Sequence, residues 1–522
     1  MHPRLEHLHD PSLLHGLDES VQRLLKARDV GEKVAVIGDY DVDGVSGTAV
    51  LSAVLKACGI GVETILPHRL RDGYGFQPVH VDLAEEKGCK VLVTVDCGIT
   101  SGSAVGLALE RGLDVVVTDH HLPGSALPDG ALVVNPRQPD CEYPFDGLSG
   151  AGLAFKLATA VADACGRDID PRILLRIACL GTIADLVPLR DENRVIAAVG
   201  LEELSRTKSV GLQALFQVAR LKPPFTTEDV GFRIGPRLNA PGRLDSADTA
   251  LELLLLRDPV RAEKLAHDLD AWNKERQSWE RKVADEARAV FEAWDPLPSI
   301  LVAWSPEWHR GVVGIAAGRL ARDFNRPVIL LAEEEADGAR VATGSGRSIK
   351  GLHLFDFLSR WREELVRFGG HSQAIGLTAT VDTLEDLRRR WQDAAELEWK
   401  ERVSTRYHEY EMEMEASLLG PEVLSALQSL EPFGQDNPRP LLRIPGPLRM
   451  VRPPRRFGRG HLEAEFAGSD RGRIRIVGWG WEDRAADLEG EVELLGYLEF
   501  DRYRRQMVLR LQDARPARPP EP

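Results

Sequence analysis

Val34-Ala35-Val36-Ile37-Gly38-Asp39-Tyr40-Asp41-Val42-Asp43-Gly44 is the stretch on which the fold turns. Four apolar, mostly β-branched residues in a row mark a strand buried on both faces, and Gly38 ends it. Three carboxylates follow at alternate positions. Gathering them is costly unless cations balance the charge. Along an extended segment alternate side chains share one face, so the three acids are expected to converge. A solvated acidic turn is the plainer alternative; the flanking strand and glycines count against it.

The pattern recurs downstream. Val91-Leu92-Val93-Thr94-Val95 ends in Asp96, and Val115-Val116-Val117-Thr118 ends in Asp119-His120-His121. A helix is expected from about Ser46 to Ala57. Strand–helix alternation over residues 31–255 predicts an α/β domain with a doubly wound parallel sheet, which binds ligands at the carboxyl ends of its strands. The acids fall at those ends. Asp96 alone reads equally well as a helix cap. Asp119-His120-His121 suits cation binding joined to acid–base or phosphate contact. Asp185, in Gly181-Thr182-Ile183-Ala184-Asp185-Leu186-Val187, is an acid inside an apolar stretch and needs a partner. Oxygen ligands with one or two imidazoles suit Mn²⁺ or Mg²⁺ better than a thiolate zinc site. Two such ions are the standard device for in-line attack on phosphorus.

The 522 residues exceed what one hydrophobic core serves. Residues 1–30 read as a lead-in. Glycine is absent from Asp258 to Asp295, and apolar positions there follow one helical face, so residues 256–296 read as a long connecting helix. Residues 297–398 restart an α/β pattern, 405–515 alternate like a small β-barrel, and 516–522 form a proline-rich tail expected to be disordered. The six cysteines form no CxxC pair and read as reduced core residues of a cytoplasmic protein. No signal peptide or membrane span is legible. The net charge of −15 argues against nucleic acid unless charge is local. It is: Arg449 to Arg475 holds eight arginines against three acids.

The motifs DYDVDG, VDCG, TDHH and GTIADLVPL resemble the DHH phosphoesterase superfamily. His68-Arg69 with Gly73-Tyr74-Gly75, PRLNA from Pro236, WHRGVVG from Trp308, SGRS from Ser345, FGGH from Phe368 and PFGQDNP from Pro432 resemble its RecJ-type branch of single-strand-specific 5′→3′ exonucleases. The resemblance implies a parallel-sheet DHH domain, a long helix, a smaller DHHA1-type α/β domain and an OB-fold barrel. It implies two divalent cations, Mn²⁺ or Mg²⁺, on Asp41, Asp43, Asp96, His120 and Asp185, with Asp96 bridging. Asp39 is then a further acid, Asp119 orients a histidine, and His121 meets phosphate or assists proton transfer. Gly370 and His371 of the second lobe face the scissile phosphate.

An enzyme that starts at a 5′ end must recognise a terminal phosphate, and arginine forks do this bidentately. Arg69, Arg237, Arg310, Arg347 and Ser348 are candidates, and the glycine before Arg347 fits an anion-binding turn. Asn239 either contacts substrate or caps a turn. On the barrel, Arg452, Arg455, Arg456, Phe457, Arg459, Trp479 and Trp481 are candidates for single-strand binding, with one of the two tryptophans expected in the core. Implied partners are single-stranded DNA, a helicase and a single-strand-binding protein, acting on a monomer without a membrane. RecJ-type sequences usually carry a segment before the Leu8-His9-Asp10-Pro11 region, and some continue past the barrel, so a shortened start and altered partner binding are expected.

Two rival readings remain. A phosphodiesterase for short oligonucleotides or cyclic dinucleotides resembles only the two-lobed core, so residues 405–515 favour a longer polymer. A non-catalytic replication scaffold would have lost ligands that this sequence retains.

Overall fold

Val34, Ala35, Val36 and Ile37 are wholly buried in strand β1 (Lys33–Gly38). It has sheet neighbours on both sides and helices above and below, which is why the run carries no polar residue. The computed structural model that shows this describes residues 3–68, 71–73, 75–244, 246–336, 338–404, 407–458, 460–468, 472–501 and 505–517. With β2 (Gly61–Ile65), β3 (Cys89–Val95), β4 (Asp114–Thr118) and β5 (Leu132–Val134), β1 forms a parallel sheet in the order β2-β1-β3-β4-β5. The helices here are α1 (Leu17–Val30), α2 (Val42–Ala57), α3 (Pro78–Glu86), α4 (Gly102–Glu110), α5 (Gly150–Ala164) and α6 (Pro171–Ala184). Ala35, Ile37, Leu92 and Val117 pack with Val81 and Ala84 of α3 and Ala104 and Val105 of α4. On the sheet's other side α2 packs against α5 and α6 and is buried almost all round.

One local expectation fails. The helix expected from Ser46 begins at Val42, so the acids of Asp39-Tyr40-Asp41-Val42-Asp43 do not lie along one extended face. Asp41 is the N-cap and Asp43 lies in the first turn.

A helix of 34 residues, Pro259–Glu292, follows, capped by Asp258. At 1.5 Å per residue it is about 51 Å long. The second α/β sheet contains β6 (Leu301–Ser305), β7 (Val328–Ala336), β8 (Ala339–Arg347), β9 (Arg367–Gly370) and β10 (Ala374–Thr380), in the order β6-β7-β8-β10-β9. One face packs on the helix Val313–Phe324 and the end of the long helix, the other on Trp391 and Trp399 of the helix Val381–Ser404.

The last strands are β11 (Met412–Glu413), β12 (Leu442–Phe457), β13 (His461–Gly468), β14 (Arg473–Gly478), β15 (Glu491–Asp501) and β16 (Gln506–Pro516). The run β12-β13-β14-β16-β15 closes on itself through β15–β12 pairing. Leu442, Ile444, Phe466, Ile476, Trp481, Leu494 and Leu509 fill the barrel. β16 takes in Pro516, paired with Val492, so the strand reaches the first residue of the expected tail; residues 518–522 lie outside the described residues.

The chain divides into two compact units. One comprises residues 9–185 and 199–406. The other gathers the residues before 9, residues 186–198 and everything from 407 onward. Within the latter, Leu189 N–H donates to Gln435 O at 2.7 Å and Arg194 Nη2 to Glu431 O at 2.9 Å. All six cysteines are free; Cys141 and Cys165 are half-buried rather than core residues. Among the described residues no helix is long and apolar enough to cross a membrane.

Candidate metal centre

The acids meet because β1, β3 and β4 end side by side. Asp39 follows β1 and donates its N–H to Val95 O at 3.1 Å. Asp96 follows β3 and donates its own to Thr118 O at 3.0 Å, with φ at +63°. Asp119 follows β4. Asp41 Oδ1 accepts the N–H groups of Asp43 and Gly44 at 2.9 and 3.1 Å. Asp43, almost wholly buried, has both oxygens on the N-terminus of α5: Oδ2 accepts Gly150 N–H at 2.6 Å and Oδ1 accepts Ala151 N–H at 3.0 Å. The helix dipole favours a carboxylate there.

Three groups bring ligand atoms within 4.8 Å of one another: Asp39, Asp41 and Asp96; Asp43, His120 and Asp185; and Asp96, His120 and His121. Five of these seven residues are the expected ligands, and Asp39 and His121 join them. Asp185, the C-cap of α6, presents Oδ2 3.5 Å from His120 Nε2. His120 Nε2 also lies 3.1 Å from Asp96 Oδ1, yet both atoms are buried and neither makes a hydrogen bond within the described residues. Buried polar atoms without partners are rare, and a shared cation would satisfy both. The donor set is all carboxylate and imidazole, which fits Mn²⁺ or Mg²⁺.

The proton affinities report the same crowding. Burial, and then the neighbouring Asp41, push Asp43 up to about 7. Burial and then Asp43 raise Asp96 and Asp185 well above the usual carboxylate range. Burial, and then His121, lower His120 to about 3, so its imidazole is neutral. Burial would lower His121 too, but the Asp119 carboxylate, 2.7 Å from its Nδ1, carries it up to about 9. Asp119 therefore orients His121. It is fixed in turn by the N–H groups of Ile99 and His121.

Sequence reasoning missed the residues that frame this cluster. A side chain on Gly150 would put its Cβ 2.4 Å from Asp96 Cβ, and one on Gly181 would come 2.4 Å from Asp43 Oδ1. Ser149 caps α5 through Gly152 N–H. The Ser149-Gly150-Ala151-Gly152 run, a cap followed by small residues, was the available signal.

The substrate-side expectations divide. Arg237 is committed elsewhere: its guanidinium donates to Asp270 Oδ1 at 2.8–2.9 Å and to Arg233 O at 2.6 Å. Arg310 pairs with Glu334 at 3.1 Å. Asn239 Oδ1 accepts Val42 N–H at 3.0 Å, which places it against the turn that carries Asp41 and Asp43. Arg347 Nη1 donates to Gly346 O, and its other Nη lies beside Gly314 at the start of the helix Val313–Phe324. Ser348 donates its hydroxyl to Leu352 O at 2.8 Å, a structural bond. Gly370 has φ at +137° in β9, and a Cβ there would meet Ala374 O at 2.4 Å. His371 is exposed at the β9–β10 turn and belongs to none of the three ligand groups. Arg69 lies outside the described residues.

On the barrel the arginine-rich stretch is less bare than its sequence suggests. Arg449, Arg455, Arg456 and Arg473 pair with Glu491, Glu463, Glu482 and Glu465. Arg452 is exposed, and Arg459 lies outside the described residues. Trp481 is in the core, whereas Trp479 is 56% exposed and meets Phe457 and His461 edge-on. Phe457 and Trp479 line a cleft of about 430 Å³.

Comparison with known proteins adds to this geometry. Residues 33–182 match the DHH family N-terminal domain, 297–396 the DHHA1 domain, and 410–513 the RecJ OB domain. The chain is 40% identical over 441 residues to the single-stranded-DNA-specific exonuclease RecJ of Bacillus subtilis, covering 84% of this chain and 55% of that protein. It is 38% identical to the RecJ of Dickeya dadantii, covering 88% and 82%. Among solved structures, RecJ of Thermus thermophilus in complex with Mn²⁺ superposes with a TM-score of 0.80 at 32% identity, covering 98% of this chain and 72% of that one.

Proposed function

We propose that this chain, which belongs to the RecJ family of DHH phosphoesterases, degrades single-stranded DNA from its 5′ end, releasing 5′-mononucleotides in repair and recombination. The carrying observation is the cluster of five aspartates and His120, buried except at half-buried Asp41 and Asp185, in which Asp96 Oδ1 and His120 Nε2 face each other with no hydrogen bond among the described residues. Asp39, Asp41, Asp43, Asp96, His120 and Asp185 would hold two divalent cations, Mn²⁺ or Mg²⁺. Bound there, such cations supply an activated water and charge stabilisation at phosphorus.

The residues around them have separate tasks. Neutral His120 is held for ligation. His121, kept protonated by Asp119 and half-exposed beside it, donates to a phosphate oxygen. Arg347, with Arg69, reads the 5′-terminal phosphate, and His371 approaches the scissile group from the second lobe. The barrel takes the following strand, with Trp479 and Phe457 as a stacking surface and Arg455 and Arg456 exchanging glutamate for phosphate. A single-strand substrate must first be unwound, so a helicase and a single-strand-binding protein are the partners. Free thiols fit a reducing cytoplasm, and the active species is a monomer.

End-labelled single strands incubated with Mn²⁺, Mg²⁺ or EDTA test this. Mononucleotides should appear with either cation and not with EDTA. Asp96→Ala should reduce hydrolysis to background while single-strand binding persists. Exclusive cleavage of a dinucleotide, with a long strand left intact, would sink the polymer reading. Arg347→Ala should narrow the difference in rate between 5′-phosphorylated and 5′-blocked strands.

A further inference from the structure

We propose that Asn239 is a positioning residue for the ligands Asp41 and Asp43, and that the helix Gly235–Leu244 which carries it ties the ligand loop to the second lobe. The inference rests on the two-cation reading above.

The first amides of a helix have no partner within it. In α2 each is accounted for. Asp43 N–H and Gly44 N–H go to Asp41 Oδ1, and Val45 N–H goes to Asp41 O at 2.9 Å. Val42 N–H, between the two ligands, goes to Asn239 Oδ1 at 3.0 Å. That acceptor is 197 residues away in sequence, and the other three are local. Without it, a donor at the ligand loop loses its partner, and the turn that aims Asp41 and Asp43 loses a fixed point.

A second contact lies three residues on, on the same face of the helix. Gly242 rests on the carbonyl of Tyr40, where a Cβ would come within 2.6 Å. The helix thus bears on the loop on both sides of Asp41. The next residue turns to the second lobe. Arg243 Nη1 donates to Gly311 O at 3.3 Å, and a Cβ on Gly311 would meet Arg243 O at 2.5 Å. Gly311 follows His309 and Arg310 in the Trp308–Gly314 segment. Arg237, two residues before Asn239, anchors the same helix to Asp270 of the long helix. A short helix fixed at three points makes the ligand loop and the second lobe move together.

The test titrates the full-length protein with MnCl₂ by calorimetry and, separately, measures single-strand affinity by fluorescence anisotropy in EDTA. Asn239→Ala should weaken Mn²⁺ binding about 10-fold or more, the usual cost of losing a residue that orients a ligand. Its single-strand affinity in EDTA should match the wild type. Asn239→Asp keeps an acceptor oxygen at the same reach and should restore Mn²⁺ affinity. Gly242→Ala should lose it, because the loop must shift from Tyr40. If Asn239→Ala fails to fold, the contrast between Asn239→Asp and Gly242→Ala carries the test. Wild-type Mn²⁺ affinity in Asn239→Ala or in Gly242→Ala would overturn the positioning role. So would a loss confined to single-strand binding in EDTA, which would make Asn239 a substrate contact. A wild-type protein that takes up no Mn²⁺ would instead overturn the two-cation reading.

Discussion

At Asp119 the fate of two adjacent imidazoles is decided by one carboxylate. Its oxygens take the Ile99 and His121 amides, and that turn leaves His121 Nδ1 2.7 Å away while His120 points into the acids. His121 is carried up to about 9, above the ordinary 6.5, and His120 falls to about 3. In protein stripped of cations with EDTA, NMR titration of His121 should therefore have its midpoint near 9. Asp119→Asn should bring it back toward 6.5; a midpoint that stayed near 9 would mean another group charges it. The linkage has a sign. A histidine raised on folding adds stability that is complete below about 6.5 and is lost as pH rises toward about 9. Asp119 runs the other way: its lowered carboxyl adds stability above the ordinary 3.8 that is lost as pH falls. The sequence showed the Asp-His-His string, but not which ring each neighbour would serve. That choice depends on the backbone turn, to which Ile99 contributes from the preceding strand's loop.

Element by element, helix ends complete the centre that the strand ends begin. α2 opens on Asp41 and Asn239, α5 opens on Asp43, and α6 closes on Asp185. The strands were legible because burial on both faces leaves an unbroken apolar run. The start of α2 was not. Val42, Asp43 and Gly44 are weak helix formers, and one of the four amides that open the helix is taken by residue 239. The partner of Arg237 was hidden for a similar reason: Asp270 belongs to the next long helix. Crowding at these ends gives a prediction. Gly150→Ala and Gly181→Ala should each keep the circular dichroism of the fold and lose Mn²⁺-dependent hydrolysis, since the added methyl presses on Asp96 or Asp43. Wild-type turnover in either would show that the acids have room to spare. On the barrel, exposed ion pairs are worth about 0–1 kcal/mol, so phosphate can compete with Glu463 for Arg455. Glu463→Gln should then tighten single-strand binding about twofold or more, within the same energy range. Unchanged affinity would take Arg455 off the strand's path.

Over the whole molecule, the sequence divided the chain into consecutive domains, and the compact units do not follow that order. Residues 186–198 pack with the barrel unit although they follow Asp185 directly. No local pattern announces this, because the partners of Leu189 and Arg194, Gln435 and Glu431, lie far along the chain. Leu189 is 3% exposed, its N–H is taken by Gln435, and its side chain covers Gly434. Leu189→Ala should cost about 2–5 kcal/mol of stability in urea melts, as buried leucine truncations do. A cost near zero would mean that this segment merely rests on the barrel. The arrangement also bears on inheritance. A gene crossover near codon 406 would carry away the barrel without the inner piece that packs in the same unit. A viable hybrid needs two matched exchanges, so this architecture resists shuffling, and lineages should change the barrel by gradual substitution more readily than by wholesale replacement.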